Sequence, residues 1–329
     1  MKDFYQNKSI LITGAAGSIG QALTDKLLEF DPKVIRLLDN NENGLFYLRQ
    51  KYSTESVKNV RFLLGDIRNL GRLQYAFQGI DIVIHAASYK HVTECEYNPL
   101  DAVETNILGT ANVIQAAINQ HVKKVIFTSS DKAANPSNTM GTTKLLAEKL
   151  MTAANDYGAL TTVFACCRFG NVVGTSGSVI PLFKKQIREQ QKVTITDPEM
   201  TRFMITQDTA IDLVLKAGYL SNGGETFIFK MPVVKIGELA DAMISRYGNA
   251  KKEVIGKKPG EKMYEEIMTE EEMYRACEGE DMYIIFPQIR TLEKSSYPGY
   301  SPVSAIKNSS QLFALSQEKI FQLLDEAGI

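Results

Sequence analysis

Ser9-Ile10-Leu11-Ile12-Thr13-Gly14-Ala15-Ala16-Gly17-Ser18-Ile19-Gly20 is the stretch that decides the fold. A short β-forming, mostly apolar run passes into closely spaced glycines, and the pattern that follows is helical. A strand that turns sharply into a helix is the consequence. Small residues in such a turn let backbone amides and the positive helix end approach a pyrophosphate, and Gly20 permits tight helix–strand packing. The next apolar run ends at Asp39, nineteen residues after Gly20. A carboxylate there either caps the following helix or accepts hydrogen bonds from adenosine ribose hydroxyls and repels a 2′-phosphate, which favours NAD over NADP.

Working outward, short apolar runs alternate with longer helical patterns. Strands are expected at Ser9 to Thr13, Val34 to Leu38, Val60 to Leu64, Ile82 to Ala86, Lys124 to Ser129 and Thr161 to Arg168. Between them Ile19 to Glu29, Asn43 to Lys51, Arg72 to Phe77, Pro99 to Asn119 and Gly141 to Tyr157 read as helices. That order specifies an α/β chain with a Rossmann-type, doubly wound parallel sheet. Asp66-Ile67 and Ala86-Ala87 end the third and fourth strands at the same carboxyl edge as Gly14, Gly17, Ser18, Ile19 and Gly20, the alanines allowing close passage of a cofactor. After Arg168 the alternation weakens, with helices expected at Ile180 to Glu189, Thr206 to Tyr219, Ile236 to Arg246 and Ser316 to Glu326. The expected division is a nucleotide-binding domain over 1–170 and a smaller mixed substrate domain over 171–329, some of whose segments return to the sheet. Ser295 to Ser310 reads as a surface loop.

The 37 basic and 38 acidic residues leave a formal charge of -1, so no overall field recruits nucleic acid or an anionic membrane. Cys95, Cys166, Cys167 and Cys277 lack metal-ligand spacing, and His85, His91 and His121 are too dispersed for a metal site. No metal is expected. Reduced core thiols, no signal-peptide pattern and no long apolar run suggest a soluble, cytoplasmic protein.

The fifth strand delivers Ser130-Asp131-Lys132 to the carboxyl edge, and the helix beginning near Gly141 carries Lys144. With these, the chain resembles the extended short-chain dehydrogenase family, especially the nucleotide-activated N-acetylglucosamine 4,6-dehydratases of bacterial surface-glycan pathways. The resemblance rests on His85-Ala86-Ala87-Ser88-Tyr89-Lys90-His91-Val92, Thr105-Asn106-Ile107-Leu108-Gly109-Thr110, Ser129-Ser130-Asp131-Lys132-Ala133 and Met140-Gly141-Thr142-Thr143-Lys144. Arg168-Phe169-Gly170-Asn171-Val172, Met200-Thr201-Arg202-Phe203 and Lys258-Pro259-Gly260-Glu261-Lys262 extend it over about residues 10 to 265.

The family usually signals itself with Tyr-x-x-x-Lys, whose tyrosine takes a proton from the hydroxyl being oxidised. Here the first position is Met140, which cannot transfer a proton. Sugar dehydratases of this type also carry methionine there beside an intact Asp-Lys pair. The resemblance then implies that hydride leaves sugar C4 for NAD, the 4-ketone acidifies C5–H, Lys132 takes that proton, Asp131 protonates the departing C6 hydroxyl, and hydride returns to C6. Two demands follow: the Asp131 carboxyl raised, and the Lys132 ammonium lowered from about 10.4 by apolar enclosure and a neighbouring cation, Lys144 or Lys90. Ser130 is assigned to the C4 hydroxyl through a relay with Asp131, water or the cofactor ribose, and Lys144 to the nicotinamide ribose.

By resemblance Lys90 and His91 shape the sugar pocket, while Asn171, Arg202 and Glu261 contact the nucleotide diphosphate or ribose. Arg202 also suits bidentate anion recognition. The expected partner is a nucleotide-activated N-acetylhexosamine, with UDP ahead of GDP as carrier, and a homodimer built on Pro99 to Asn119 and Gly141 to Tyr157. A 5,6-dehydratase, a 4-epimerase and a noncatalytic NAD-binding regulator are the competing readings.

Overall fold

The computed structural model describes residues 1–52, 59–157, 161–289, 292 and 296–329. Its first half carries β1 (Ser9–Thr13), β2 (Val34–Asp39), β3 (Val60–Leu64), β4 (Ile82–His85), β5 (Lys124–Thr128) and β6 (Val163–Arg168). Helices Ser18–Leu28, Glu42–Tyr52, Leu70–Ala76, Gly109–Asn119 and Thr139–Ala153 connect or flank them. The strands are parallel and lie in the order β3-β2-β1-β4-β5-β6. β1, β4 and β5 are buried along their whole length, the reason their apolar runs are nearly unbroken: helices cover both faces. Chain order reverses between β1 and β4, where open α/β sheets bind ligands.

The remaining strands are β7 (Asn171–Val172), β8 (Lys192–Ile195), β9 (Thr201–Ile205), β10 (Thr226–Phe229), β11 (Val233–Lys235), β12 (Lys251–Val254), β13 (Ala276–Glu278), β14 (Met282–Ile285) and β15 (Ser301–Pro302). β10 joins β6 in parallel, and β14, β13 and β15 continue the sheet antiparallel, making ten strands among the described residues. They cover the edge that β6 would otherwise leave unpaired. β11-β9-β7 and β12-β8 form two small sheets. Helices Val179–Gln190, Ile236–Tyr247 and Gln317–Glu326 pack with them around a separate core that includes Phe183, Leu239, Met243 and Leu324.

Two expectations need correction. The single helix over Pro99 to Asn119 is a short α-turn, Pro99–Ala102, a π-helical segment, Val103–Leu108, and the α-helix Gly109–Asn119. Asn106 in the π segment is buried, accepts a hydrogen bond from Tyr89 N and donates to Tyr89 O and Thr143 Oγ1. A polar side chain that must meet three partners across two elements coincides with the widened turn, a common setting for π-bulges. Within Ser295 to Ser310, Ser295 lies outside the described residues, but Tyr297 and Ser309 are buried and Ser301–Pro302 is an edge strand. Tyr297 donates to the buried Glu225 carboxylate, which anchors the stretch to the sheet.

Candidate active site

Three glycines shape the first turn in different ways. A Cβ on Gly14, whose φ is +68°, would stand 2.7 Å from Ala87 N, and one on Gly20 would stand 2.4 Å from Gly14 O. Both clashes are with backbone, so neither position admits a side chain without moving a strand end. At Gly17 an added Cβ meets only Gly14 O, at 3.3 Å. No side chain caps helix Ser18–Leu28, so its first-turn amides remain available to an anion. Asp39 accepts from Ala16 N at 2.8 Å and Asn41 N at 2.9 Å, which ties the end of β2 to the glycine turn. The arrangement fits a dinucleotide pyrophosphate. Asp66 is paired with Arg68 at 2.7 Å, and that hydrogen-bonded partner holds its carboxyl below the usual range. Ile67 is buried against Gly109, and Ala86 N donates to Thr13 O.

At the end of β5, Ser130 opens a 3-10 turn, Asp131–Ala133, and its hydroxyl accepts from Lys132 N. Asp131 is fully buried, and its Oδ1 accepts from Ser130 Oγ at 2.9 Å and Lys132 Nζ at 3.0 Å. Its Oδ2 is buried without a hydrogen-bond partner. Glu265 Oε1 lies 3.4 Å from Lys132 Nζ and 3.7 Å from Arg202 Nε. Two carboxylates and two cations thus form one quartet, the buried Asp131, Glu265 and Arg202 around a partly buried Lys132.

The expected lowering of Lys132 is overturned. Burial pulls its ammonium down, but Asp131 and Glu265 together outweigh burial and hold it above the ordinary value. The neighbouring cation is Arg202, not Lys144 or Lys90. Glu265 is held up, chiefly by burial and then by Asp131, against the pull of Lys132, Arg202 and Lys262.

The lysine that burial lowers is Lys144, to about 8. Its Nζ donates to Ser88 Oγ at 2.7 Å and Thr128 O at 3.0 Å and sits 4.6 Å above the Phe127 ring. Helix Thr139–Ala153 presents it there because Asn138 caps the helix through Gly141 N and Gly141 lets the helix press on the Asp131–Ala133 turn: a Cβ would come within 2.3 Å of Lys132 O. Met140 is buried in a small cluster with Cys95 and Ala102. His85 is a core residue between Thr13 and Thr110, and burial, then Lys144, lowers it to about 3, so it is neutral.

The other expected residues separate. Asn171, on β7, carries a buried Oδ1 without a partner. Lys90 Nζ donates to Ser176 O at 2.5 Å, Ser176 N donates to Ser18 Oγ at 3.1 Å, and His91 packs against Gly177, so this loop joins the two halves beside the glycine turn. Arg202 does not present an open fork: its terminal nitrogens donate to Thr201 O, Lys262 O and Met200 Sδ. Glu261 accepts from Lys258 N in its own turn. Glu265 was invisible in the sequence, where Glu265-Glu266 reads as a twin acid. Only burial separates them: Glu265 is 3% exposed, whereas Glu266 is partly exposed and faces Asn135 and Lys262.

The chain matches the sequence profile of the polysaccharide biosynthesis protein family over residues 10–287. It is 45% identical over 335 residues to an uncharacterised membrane protein of Methanocaldococcus jannaschii, covering 99% of this chain and 98% of that one. Among the described residues here, no helix is long and apolar enough to cross a membrane. A Campylobacter jejuni protein named UDP-N-acetylglucosamine 4,6-dehydratase (inverting) is 41% identical over 89% of this chain and 86% of its own. A Rickettsia rickettsii protein named UDP-glucose 4-epimerase is 38% identical over 97% and 96%. The X-ray structure of Pen from Bacillus thuringiensis superposes with a TM-score of 0.92 at 45% identity, covering 98% of each chain. The chain belongs to the polysaccharide biosynthesis protein family, within the extended short-chain dehydrogenase fold.

Proposed function

We propose that the chain is an NDP-N-acetylglucosamine 4,6-dehydratase, with UDP ahead of GDP as carrier and NAD ahead of NADP as cofactor. The observation that carries this is the pair of a fully buried Asp131 with a partly buried Lys132 at the carboxyl end of β5, with Met140 at the place of the family tyrosine. Gly14, Gly17, Ser18, Ile19, Gly20 and Asp39 would hold the dinucleotide, with Asp66, Ile67, Ala86 and Ala87 along the same edge and Lys144 at the nicotinamide ribose. When bound, that cofactor takes a hydride from C4 and returns it to C6.

The chain supplies the protons. Ser130 already donates to Asp131 Oδ1, so a C4 hydroxyl proton that reaches Ser130 moves on to Asp131. Asp131 is then the acid for the C6 hydroxyl and Lys132 the base at C5. Burial of Asp131 keeps bulk water from competing for its proton. Lys90, His91 and Asn171 line the approach to the sugar nucleotide. Arg202 acts from inside the quartet, and Glu261 shapes the turn beside it.

Separate incubations with UDP- and GDP-N-acetylglucosamine, followed by mass and proton NMR, test the reading. Loss of one water with a new C6 methyl signal supports it, and deuterium oxide reports C5 stereochemistry. The relative named as a 4-epimerase supports a second reading. Epimerisation leaves the mass unchanged and needs no base at C5, which leaves Lys132 without a role; turnover at constant mass refutes the dehydratase. A cofactor-bound protein that turns over neither sugar is a regulator.

A further inference from the structure

The dehydratase reading, on which this inference rests, leaves a proton unplaced. At the start both carboxylates of the quartet balance two cations, and Lys132 is an ammonium, which cannot accept a C5 proton. Its nearest acceptor is Asp131 Oδ1, 3.0 Å away. By the time C5 must be deprotonated, however, Asp131 already carries the proton that left the C4 hydroxyl through Ser130. A second buried acceptor is required.

We propose that Glu265 is that acceptor, a positioning residue that takes the resting proton of Lys132 and so leaves a neutral amine facing C5. Its Oε1 stands 3.4 Å from Lys132 Nζ, a second carboxylate beside the ammonium that Asp131 meets at 3.0 Å. Its backbone is fixed from two directions: Glu265 N donates to Ser309 Oγ and Ser309 N to Glu265 O, each at 2.9 Å, while Ser309 Oγ meets Thr201 Oγ1 at 2.7 Å. The groups that face the carboxylate are Lys132 and Asp131 from the catalytic turn, Arg202 from β9, and Lys262 from its own segment. Burial, and then Asp131, raise the affinity of this carboxylate for a proton above the ordinary value.

The protons and electrons balance. First the Lys132 N–H bond breaks, its electron pair stays on nitrogen, and the proton bonds to Glu265. The amine then takes the C5 proton, and the C5–H electrons form the C5–C6 double bond. The C6–O bond breaks with its pair on oxygen, which receives the Asp131 proton and leaves as water. After hydride reaches C6, Lys132 returns a proton to C5 and Glu265 returns its proton to Lys132. Asp131, Lys132 and Glu265 end as they began.

Glu265→Gln keeps the shape and removes the acceptor. Single-turnover experiments should show ketone formation and reduced-nicotinamide absorbance at the wild-type rate. Elimination and C5 exchange from deuterium oxide should fall by about 100-fold, the lower end of what a positioned acid–base group contributes. Glu265→Asp should recover part of that loss. A nitrogen-15 titration of Lys132 in the cofactor-bound, sugar-free protein should show a lower pKa in Glu265→Gln, because one of the two anions beside it is gone. Wild-type C5 exchange in the glutamine variant overturns the proposal, as does an equal loss of ketone formation and elimination without recovery by aspartate. An unmoved Lys132 titration overturns it too. A wild-type protein that dehydrates neither sugar refutes the dehydratase reading itself and removes the basis of the relay.

Discussion

The substitution Arg168→Met should destabilise this protein more than any exposed substitution. Arg168 closes β6 and is 1% exposed. Its Nε and Nη2 donate to the two oxygens of Glu148, at 3.1 and 2.6 Å, and its Nη1 and Nη2 donate to Glu272, each at 3.0 Å. Nη1 also bonds Ile267 O. Methionine fills most of the volume but leaves two carboxylates, 5% and 13% exposed, without the guanidinium that hydrogen-bonds them both. Removing one partner of a buried pair costs about 3–5 kcal/mol. With an unfolding entropy of about 2.1 cal/mol/K per residue, 329 residues give about 0.7 kcal/mol/K, so Tm should fall by about 4–7 °C.

The pH dependence gives a second check. In the wild type Glu272 is held low against burial by Arg168. Its contribution is therefore complete above the unfolded carboxyl value of about 4.3 and is lost as pH falls through the lower folded value. In the variant, burial no longer opposed by Arg168 raises the Glu272 carboxyl, so stability is lost as pH rises through its folded value. The calorimetric deficit should be larger at about pH 7 than at about pH 5. A Tm shift under about 1 °C, or a deficit independent of pH, would refute the reasoning. Adding Glu148→Gln and Glu272→Gln to the Arg168→Met variant should restore much of the loss.

Gly20→Ala should cost about 1–3 kcal/mol, since its Cβ meets backbone, and should abolish the thermal shift produced by NAD; an unchanged NAD response would contradict the packing. Lys144→Met should flatten the stability profile between about pH 8 and about pH 10.4. The folded value, about 8, lies below the unfolded one, so the wild type gains stability across that window as the unfolded chain sheds its extra proton. Urea midpoints of the two proteins should differ in slope there. Cys166 and Cys167 should resist a thiol reagent in the native protein and react on unfolding, because burial pushes both thiols up; rapid native labelling would place them elsewhere.

The glycine turn, the strands around it and the edge bearing Asp39 and Asp131 were legible from local pattern. A parallel sheet buried on both faces leaves unbroken apolar runs, and a strand-to-helix turn against backbone leaves glycines. That some later segments return to the main sheet was legible, but which ones (β10 and β13 to β15), the π turn at Asn106 and the burial of Arg202 were not, since each depends on partners distant in the chain. Charge states are the sharpest case. The pattern Ser130-Asp131-Lys132 identified the groups that carry the chemistry, but a pKa is a sum over neighbours. Only the tertiary structure placed Glu265 against Lys132, raising the lysine expected to be lowered, and enclosed Lys144 so that burial lowered that one instead.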